Sequence, residues 1–401
     1  MRYAMCLALL VWVLAACGPG GTDARAGSPS RAERTLPSGP VVRRTPGDPV
    51  RLSSLTFSDP SHGWLLRPSS SAGELDRTAD GGETWTPAGN PAGVQLDAIG
   101  FIDAERGFAR GWIVGDPKGC NGVAGSPRCR SAIYRSSDGG LSWTLALARL
   151  GIRAVSVVDS HLVFAAVMAP ECGTANSDTC GGDLLRSDDG GASWSVVWRS
   201  ATQLWDVQFT DAEEGFAVRL AGTGLAGTAE VLHTSDGGAS WTTELEQQRA
   251  RIPSLEVSRG RAWLLILPDD ACAMGGCGGY QLWRRDGGSW LQLTADTEWF
   301  AHPRPDRLGF LSGPLFADAQ HGWISAGAGA GGGTGGVLHT EDGGRTWWRS
   351  IVAPSGWSVE ALAPLDGMTA LILASDQGTT GPFLAKTVDG ARTWRRLASA
   401  R

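Results

Sequence analysis

The sequence predicts an all-β chain folded as a single seven-bladed β-propeller of four-stranded antiparallel blades. Three observations carry this. One short phrase recurs seven times, best preserved as His233-Thr234-Ser235-Asp236-Gly237-Gly238-Ala239-Ser240-Trp241. The tryptophans that end the copies, Trp85, Trp143, Trp194, Trp241, Trp290, Trp347 and Trp394, stand 58, 51, 47, 49, 57 and 47 residues apart. That period is too long for a solenoid helix pair and suits one four-stranded blade. Between the copies, apolar residues alternate with a period of two, broken by Gly and Asp turns, and no helical stripe appears.

The chain opens with an export signal over residues 1–16. Arg2 supplies a minimal positive charge, and Leu7 to Leu14 form an apolar stretch too short to span a bilayer. The signal ends Leu14-Ala15-Ala16-Cys17, which resembles the bacterial lipobox. That resemblance implies that Cys17 is lipidated and becomes the first mature residue of a membrane-anchored lipoprotein at the cell surface or in the periplasm. Residues 17–50 are rich in Gly, Pro, Ser, Arg and Thr without an apolar period, the composition of a flexible tether. Residues 51–401 are expected to form the propeller. The 57 glycines and a charged fraction of 19% suit many short strands joined by turns, and a formal net charge of −6 argues against nucleic-acid binding.

Each block repeats a four-part plan, clearest in the fourth. Leu204 to Phe209 alternates as a half-buried strand, Thr210 to Gly215 turns, and Phe216 to Leu220 returns. A Gly-rich loop follows, Glu230 to Thr234 leads into the repeated phrase, and Trp241 to Leu245 is the outer strand. The first turn recurs as D-x-x-x-G-[WF] within Ser58 to Trp64, Ile102 to Phe108 and Ala317 to Trp323, whereas blocks three, five and seven lose parts of it. The first block opens on an inner strand and the last ends on an outer one, so the ring is expected to close by packing of faces. Whether Val41 to Val50 adds an edge strand is left open by the sequence.

In the repeated phrase, Asp80, Asp138, Asp189, Asp236, Asp286, Asp342 and Asp389 are placed to accept N–H groups just ahead of them in an Asx-turn. The glycines supply positive φ, and the Trp enters the layer between blades. Copy five lacks one residue and the opening hydroxyl, and copy seven has Ala391 in place of the second Gly. The pattern resembles the Asp-box, or bacterial neuraminidase repeat, shared by sialidases, sortilin-type receptors, xyloglucan-cleaving glycosidases and photosystem II stability/assembly-factor-like proteins. Paired with the D-x-x-x-G-[WF] turn, it is most similar to the assembly-factor branch. The resemblance spans nearly all of residues 51 to 397. It implies that the box is structural and remote from active sites, and that the partners are proteins.

Six further cysteines fall as neighbours, Cys120 with Cys129, Cys172 with Cys180 and Cys272 with Cys277, each pair bracketing the loop between second and third strands. Local disulfides are the simplest reading in an exported protein, each stabilising the fold by about 2–3 kcal/mol. Zinc is the rival, but no pair has His or Cys at ligand spacing, so no metal and no cofactor are expected. In an up-and-down blade these loops share a face with the connections between blades, while the Asp turns occupy the opposite face. The loop face carries the variation in length and is where binding is expected. Trp299, Arg304, Arg307 and Arg251 on its connections are the candidate binding residues, suited to a carboxylate or other anion; solvated rim charges are the alternative.

No catalytic residue is assigned. Arg251-Ile252-Pro253 is similar to the sialidase Arg-Ile-Pro motif but follows Ala250 and comes after four copies of the phrase instead of before the first. The mature chain holds only Tyr134 and Tyr280 as nucleophile candidates, and neither lies near the C-terminal end. A xyloglucanase-like reaction needs opposed carboxylates across a cleft, and those enzymes use two propellers. The expected function is an extracytoplasmic, membrane-anchored scaffold that binds a protein partner, monomeric and without nucleic acid. The alternative is a carbohydrate-directed surface protein, either glycan-binding or sialidase- or glycosidase-like.

Overall fold

The computed structural model describes residues 48–67, 74–113, 130–170, 180–221, 227–258, 260–268, 280–293, 311–327, 335–350, 357–376 and 381–397. These form seven four-stranded antiparallel blades in chain order, over residues 55–87, 94–150, 152–200, 204–250, 250–292, 311–350 and 357–396. In the fourth block the strands are Leu204–Phe209, Gly215–Ala221, Gly227–Thr234 and Thr242–Ser258. The last of these is longer than expected. Its first half is the outer strand of blade 4 and its second half runs on as the inner strand of blade 5.

The core is divided into seven apolar layers, one between each pair of neighbouring blades, apart from a small group at Met168, Ala169 and Cys180. Each layer receives the tryptophan of the repeated phrase from the blade that follows, Trp143 between blades 1 and 2 and Trp241 between blades 3 and 4. The ring closes by the same packing, with no strand shared between termini. Leu371 and Leu384 of blade 7 lie against Leu55 and Leu65 of blade 1, with Trp85 at the layer's edge. Lys386 Nζ donates to Gly81 O at 2.9 Å across the closure, and Arg395 pairs with Glu83 at 2.6 Å.

What allows the blades to approach is a cross-strand exchange of bulk. The last residue of each inner strand faces the first of the second strand: Phe57↔Gly63, Phe101↔Gly107, Phe209↔Gly215 and Phe316↔Gly322. A Cβ on Gly215 or Gly322 would stand 2.5 Å from the partner ring, so these glycines provide room. The ring lies over the glycine and stacks on an aromatic side chain of the preceding blade. Phe101 stacks on Trp64 at 3.6 Å between centroids, Phe209 on Phe164 at 3.5 Å, and Phe316 on Trp263 at 3.7 Å. Trp143, Trp241 and Trp347 meet the same rings edge-on. Where a smaller residue takes the place of the Phe the glycine is absent, as in Val157↔Val163, Val257↔Ala262 and Pro364↔Ala370. This bears on the partial first turns of blocks three and seven: both keep the Asp, block three has Val163 in place of the glycine alone, and block seven has Ala370 and Leu371 in place of the glycine and the aromatic residue. Asp159 still accepts the N–H groups of His161 and Leu162, and Asp366 those of Met368 and Thr369.

The repeated Asp-Gly-Gly turn is a closed hydrogen-bond unit. A buried hydroxyl opens it, Thr78, Ser136, Ser187, Thr234, Thr340 or Thr387. That hydroxyl donates to the Asp at 2.8 Å in all six cases. It also accepts the N–H of the residue four places on, Gly238 N to Thr234 Oγ1 at 3.0 Å for example. The closing Ser or Thr donates both its N–H and its hydroxyl to the same carboxylate. These donors, led by the Ser240 hydroxyl, hold the Asp236 carboxyl down to about 2, and Ser193 does the same for Asp189. The first glycine donates to the first turn of its own blade, Gly237 N to Glu213 O at 2.9 Å, so the two turns brace each other on one face. Copy five is different in kind. Gly287 and Gly288, with φ of 56° and 88°, make a two-residue hairpin closed by Asp286↔Ser289. Arg284 replaces the hydroxyl, holding Asp286 and reaching Gly343 O of the next blade at 3.1 Å. In copy seven Ala391 adopts φ 67°, and its methyl is buried in the layer between blades 6 and 7.

Two substitutions test this description. Gly215→Val should cost about 1–3 kcal/mol by overpacking the Phe209 ring, and adding Phe209→Val, which copies the Val157/Val163 pair, should recover part of the loss. Chemical denaturation of both variants checks the coupling, and additive costs would contradict it. Thr234→Val leaves the buried Gly238 N–H without its acceptor and should cost about 1–3 kcal/mol in the same assay.

Candidate functional site

The inner strands surround a central channel whose walls are more polar than the layers behind them. The residues just before Phe57, Phe101, Val157, Phe209, Val257, Phe316 and Pro364 in these strands are Thr56, Gly100, Ser156, Gln208, Glu256, Leu315 and Ala363. Three of them bridge to the following blade. Ser156 Oγ accepts Phe209 N at 2.8 Å, and Gln208 donates to Leu255 O at 2.6 Å while accepting Val257 N at 2.8 Å. Glu256 accepts the N–H of Phe316. Side chains thus replace the missing backbone ladder between inner strands.

The channel is partly filled by the chain itself. Val50–Arg51 forms a strand antiparallel to the inner strand of blade 3, in the register Val50↔Val157 and Arg51↔Ser156. Ser53 then exchanges two hydrogen bonds of 2.8 Å with Ile99 of blade 2 before the chain reverses into blade 1. Because Val157 adjoins the first turn of its blade, the segment enters at the face that carries the Asp turns, where Asp48 and Asp59 line a mouth of about 180 Å³. Room for it comes from Gly100, where a Cβ would stand 2.6 Å from Val50 Cγ1. The open question of an edge strand before residue 51 is therefore answered for Val50: it adds to the inner edge of blade 3.

Arg51 crosses the channel to the opposite wall. Its guanidinium donates to Leu255 O at 2.7 Å, Glu256 Oε2 at 3.0 Å and Ser254 Oγ at 3.2 Å, with Asp206 Oδ2 at 4.0 Å. Burial pushes the Glu256 carboxyl up to about 7, outweighing the attraction of Arg51, and it raises Asp206 as well. Beside the segment lies a cavity of about 330 Å³ bounded by Ser53, Ser54, Ser312, Ser325, Glu256 and Glu360.

Toward the loop face, the inner strands of blades 2 to 7 each carry a register shift, at Leu96/Ala98, Ile152/Ala154, Leu204/Asp206, Arg251/Ser254, Ser312/Leu315 and Val359/Ala361. Bulges re-aim side chains, and Asp97, Arg153, Trp205 and Glu360 sit at four of them. Arg110 pairs with Asp97 at 2.8 Å and donates to Arg153 O; Arg153 donates to Gln203 at 2.9 Å and lies 5.9 Å from the Trp205 ring. This chain of contacts links blades 2, 3 and 4.

Of the residues that the sequence suggests for function, Cys17, Trp299, Arg304 and Arg307 lie outside the described residues, as do Cys120, Cys129, Cys172, Cys272 and Cys277. Cys180 is buried, disulfide-bonded, and next but one to the third strand of blade 3. Arg251 lies where the long strand passes from blade 4 to blade 5, its backbone paired with Leu267. The sequence reading missed Arg51, Asp206 and Glu256. A signal was present, since Leu-Trp-Asp-Val-Gln-Phe and Ser-Leu-Glu-Val-Ser place an acid within otherwise apolar inner strands.

The titration of Glu256 has a testable sign. The folded chain holds a proton there up to about pH 7, whereas the unfolded chain releases it near 4.5. Stability should therefore fall, relative to a Glu256→Gln variant, as pH rises from 4.5 through 7. Denaturation of both proteins across that range checks this, and a constant difference would contradict it. Arg51, Asp206 and the Phe316 N–H are the groups that face this carboxyl.

No family model and no curated protein match the sequence. Solved structures do. A structure of YCF48 bound to D1 peptide is 17% identical, with 88% of this chain and 99% of that chain covered at a TM-score of 0.54. The GH74 enzyme of Niastella koreensis is 15% identical, with 88% and 55% covered at 0.56. The GH74 xyloglucanase from Xanthomonas campestris is 15% identical, with 90% and 56% covered at 0.55. The chain thus spans about half the length of these two enzymes. What such distant likeness establishes is the fold: the chain is similar to these proteins as a β-propeller, here of seven blades.

Proposed function

We propose that this chain is an exported, membrane-tethered propeller that holds a segment of a protein partner and has no catalytic role. The observation that carries the reading is the extent of the likeness to peptide-bound YCF48, which takes in 99% of that chain, against about half of each GH74 enzyme. The Leu14-Ala15-Ala16-Cys17 sequence supports lipidation at Cys17, with residues 17–50 as tether. Cys180 supports local disulfides on the loop face, Cys172 with Cys180 and, by analogy, Cys120 with Cys129 and Cys272 with Cys277. The repeated turn is read as an Asp-box that stiffens the opposite face. A rigid ring with one variable face suits a scaffold, because in the sequence loop length varies between blades chiefly on that face. Trp299, Arg304, Arg307 and Arg251 are the side chains assigned to it.

Crosslinking in intact cells, with the anchored protein as bait, should recover a defined protein partner. Cys17→Ala should release the protein from the membrane fraction. A glycan array bound selectively by the full chain, with no protein recovered, would favour the carbohydrate-directed alternative.

A further inference from the structure

The segment in the channel is held in the way a bound peptide is held. It contributes two register pairs and one bridge, a short contact for a strand, and two side chains do the rest. Val50 is buried in the apolar layer between blades 2 and 3. Arg51 spans the channel to two carboxylates, Glu256 and Asp206, on blades 5 and 4. The inner strands of blades 1, 4, 6 and 7 are sheet edges among the described residues. Next to the segment the cavity of about 330 Å³ leaves space for chain exchange, with Ser53 and Ser54 on one side and Ser312, Ser325 and Glu360 on the other.

We propose that the channel is a docking site for an extended peptide carrying an apolar residue followed by a basic one, and that residues 49–54 of the chain occupy it in cis until a partner's segment of the same chemistry displaces them. The proposal rests on the protein-binding reading above. Each element of the specificity has a physical source. The inner edge of blade 3 supplies main-chain pairing, as in strand addition generally. The layer behind Val50 accepts an apolar side chain. Asp206, partly buried, and Glu256, buried, share one guanidinium, which selects a cation at the next position. Gly100 keeps the wall flat where the segment crosses it. A tethered segment competes at an effective concentration of the order of millimolar, so the intact chain admits an outside peptide only weakly.

The test uses the full chain and a fluorescein-labelled peptide with the sequence of residues 46–56, Pro-Gly-Asp-Pro-Val-Arg-Leu-Ser-Ser-Leu-Thr, read by fluorescence anisotropy. The unaltered protein should bind it weakly. Arg51→Ala, which loosens the resident segment, should bind at least about tenfold more tightly. A peptide with Glu at the Arg position should not bind, and adding Asp206→Asn and Glu256→Gln to the Arg51→Ala chain should abolish the gain. Should Arg51→Ala fail to fold, as judged by its thermal transition, Val50→Ser loosens the same segment from its apolar side and carries the same expectation. Equal binding of the Arg and Glu peptides, or no gain in either folded variant, overturns the proposal. A crosslinked protein partner whose capture is unchanged by Arg51→Ala and by the paired acid substitutions would also overturn it, while leaving the scaffold reading standing.

Discussion

In four of the seven blades an aromatic ring lies over a facing residue that has no Cβ, and that steric exchange sets how those blades pack on their neighbours. Phe57, Phe101, Phe209 and Phe316 each lie over a glycine of their own blade, which brings three of them within 3.5 to 3.7 Å of an aromatic side chain of the preceding one. Blades with Val or Pro at the Phe position dispense with the glycine. Both solutions keep the layer between blades dense, as protein interiors require. The Asp-Gly-Gly turn then sets where the tryptophan enters that layer. Its buried hydroxyl and carboxylate satisfy donors that would otherwise be stranded at a strand reversal.

The channel has the opposite requirement. Inner strands of neighbouring blades diverge too far to share a ladder, so their polar backbone must find side chains. Ser156, Gln208 and Glu256 each reach the next blade for this purpose. Arg51 enters this polar wall from the first described strand and meets two acids that burial has made reluctant to ionise. Such a pair costs desolvation and is weak support for stability, which fits a contact made to be exchanged better than one made to hold the fold.

A propeller by itself names no activity, since one fold hosts many unrelated functions. The likeness to YCF48 and to the GH74 enzymes is one of architecture. What distinguishes this chain is the set of side chains at its channel. The bulged inner strands place Asp97, Arg153, Trp205 and Glu360 near the loop-face end of the channel, and the entering segment occupies the opposite end.

Much of the architecture was legible because it is local and periodic. Blade number follows from the spacing of seven tryptophans, the strand Leu204–Phe209 from its alternation, and the role of each Asp from its place before two glycines. The pairing of Phe with Gly was also written in the sequence, but its meaning needed the cross-strand register. Copy five read as a damaged repeat; only the backbone showed a two-residue hairpin with Arg284 in the hydroxyl's place. Of the channel only the isolated acids Asp206 and Glu256 in apolar strands left a signal, and their meeting with Arg51 was not legible. Arg51 and Glu256 are 205 residues apart, and no periodicity links an isolated Val-Arg to acids in two distant strands. Sequence sets what each blade is, because a blade is built from contacts within about fifty residues. Ring closure alone decides what meets at the centre, because only the closed ring brings every inner strand to one axis.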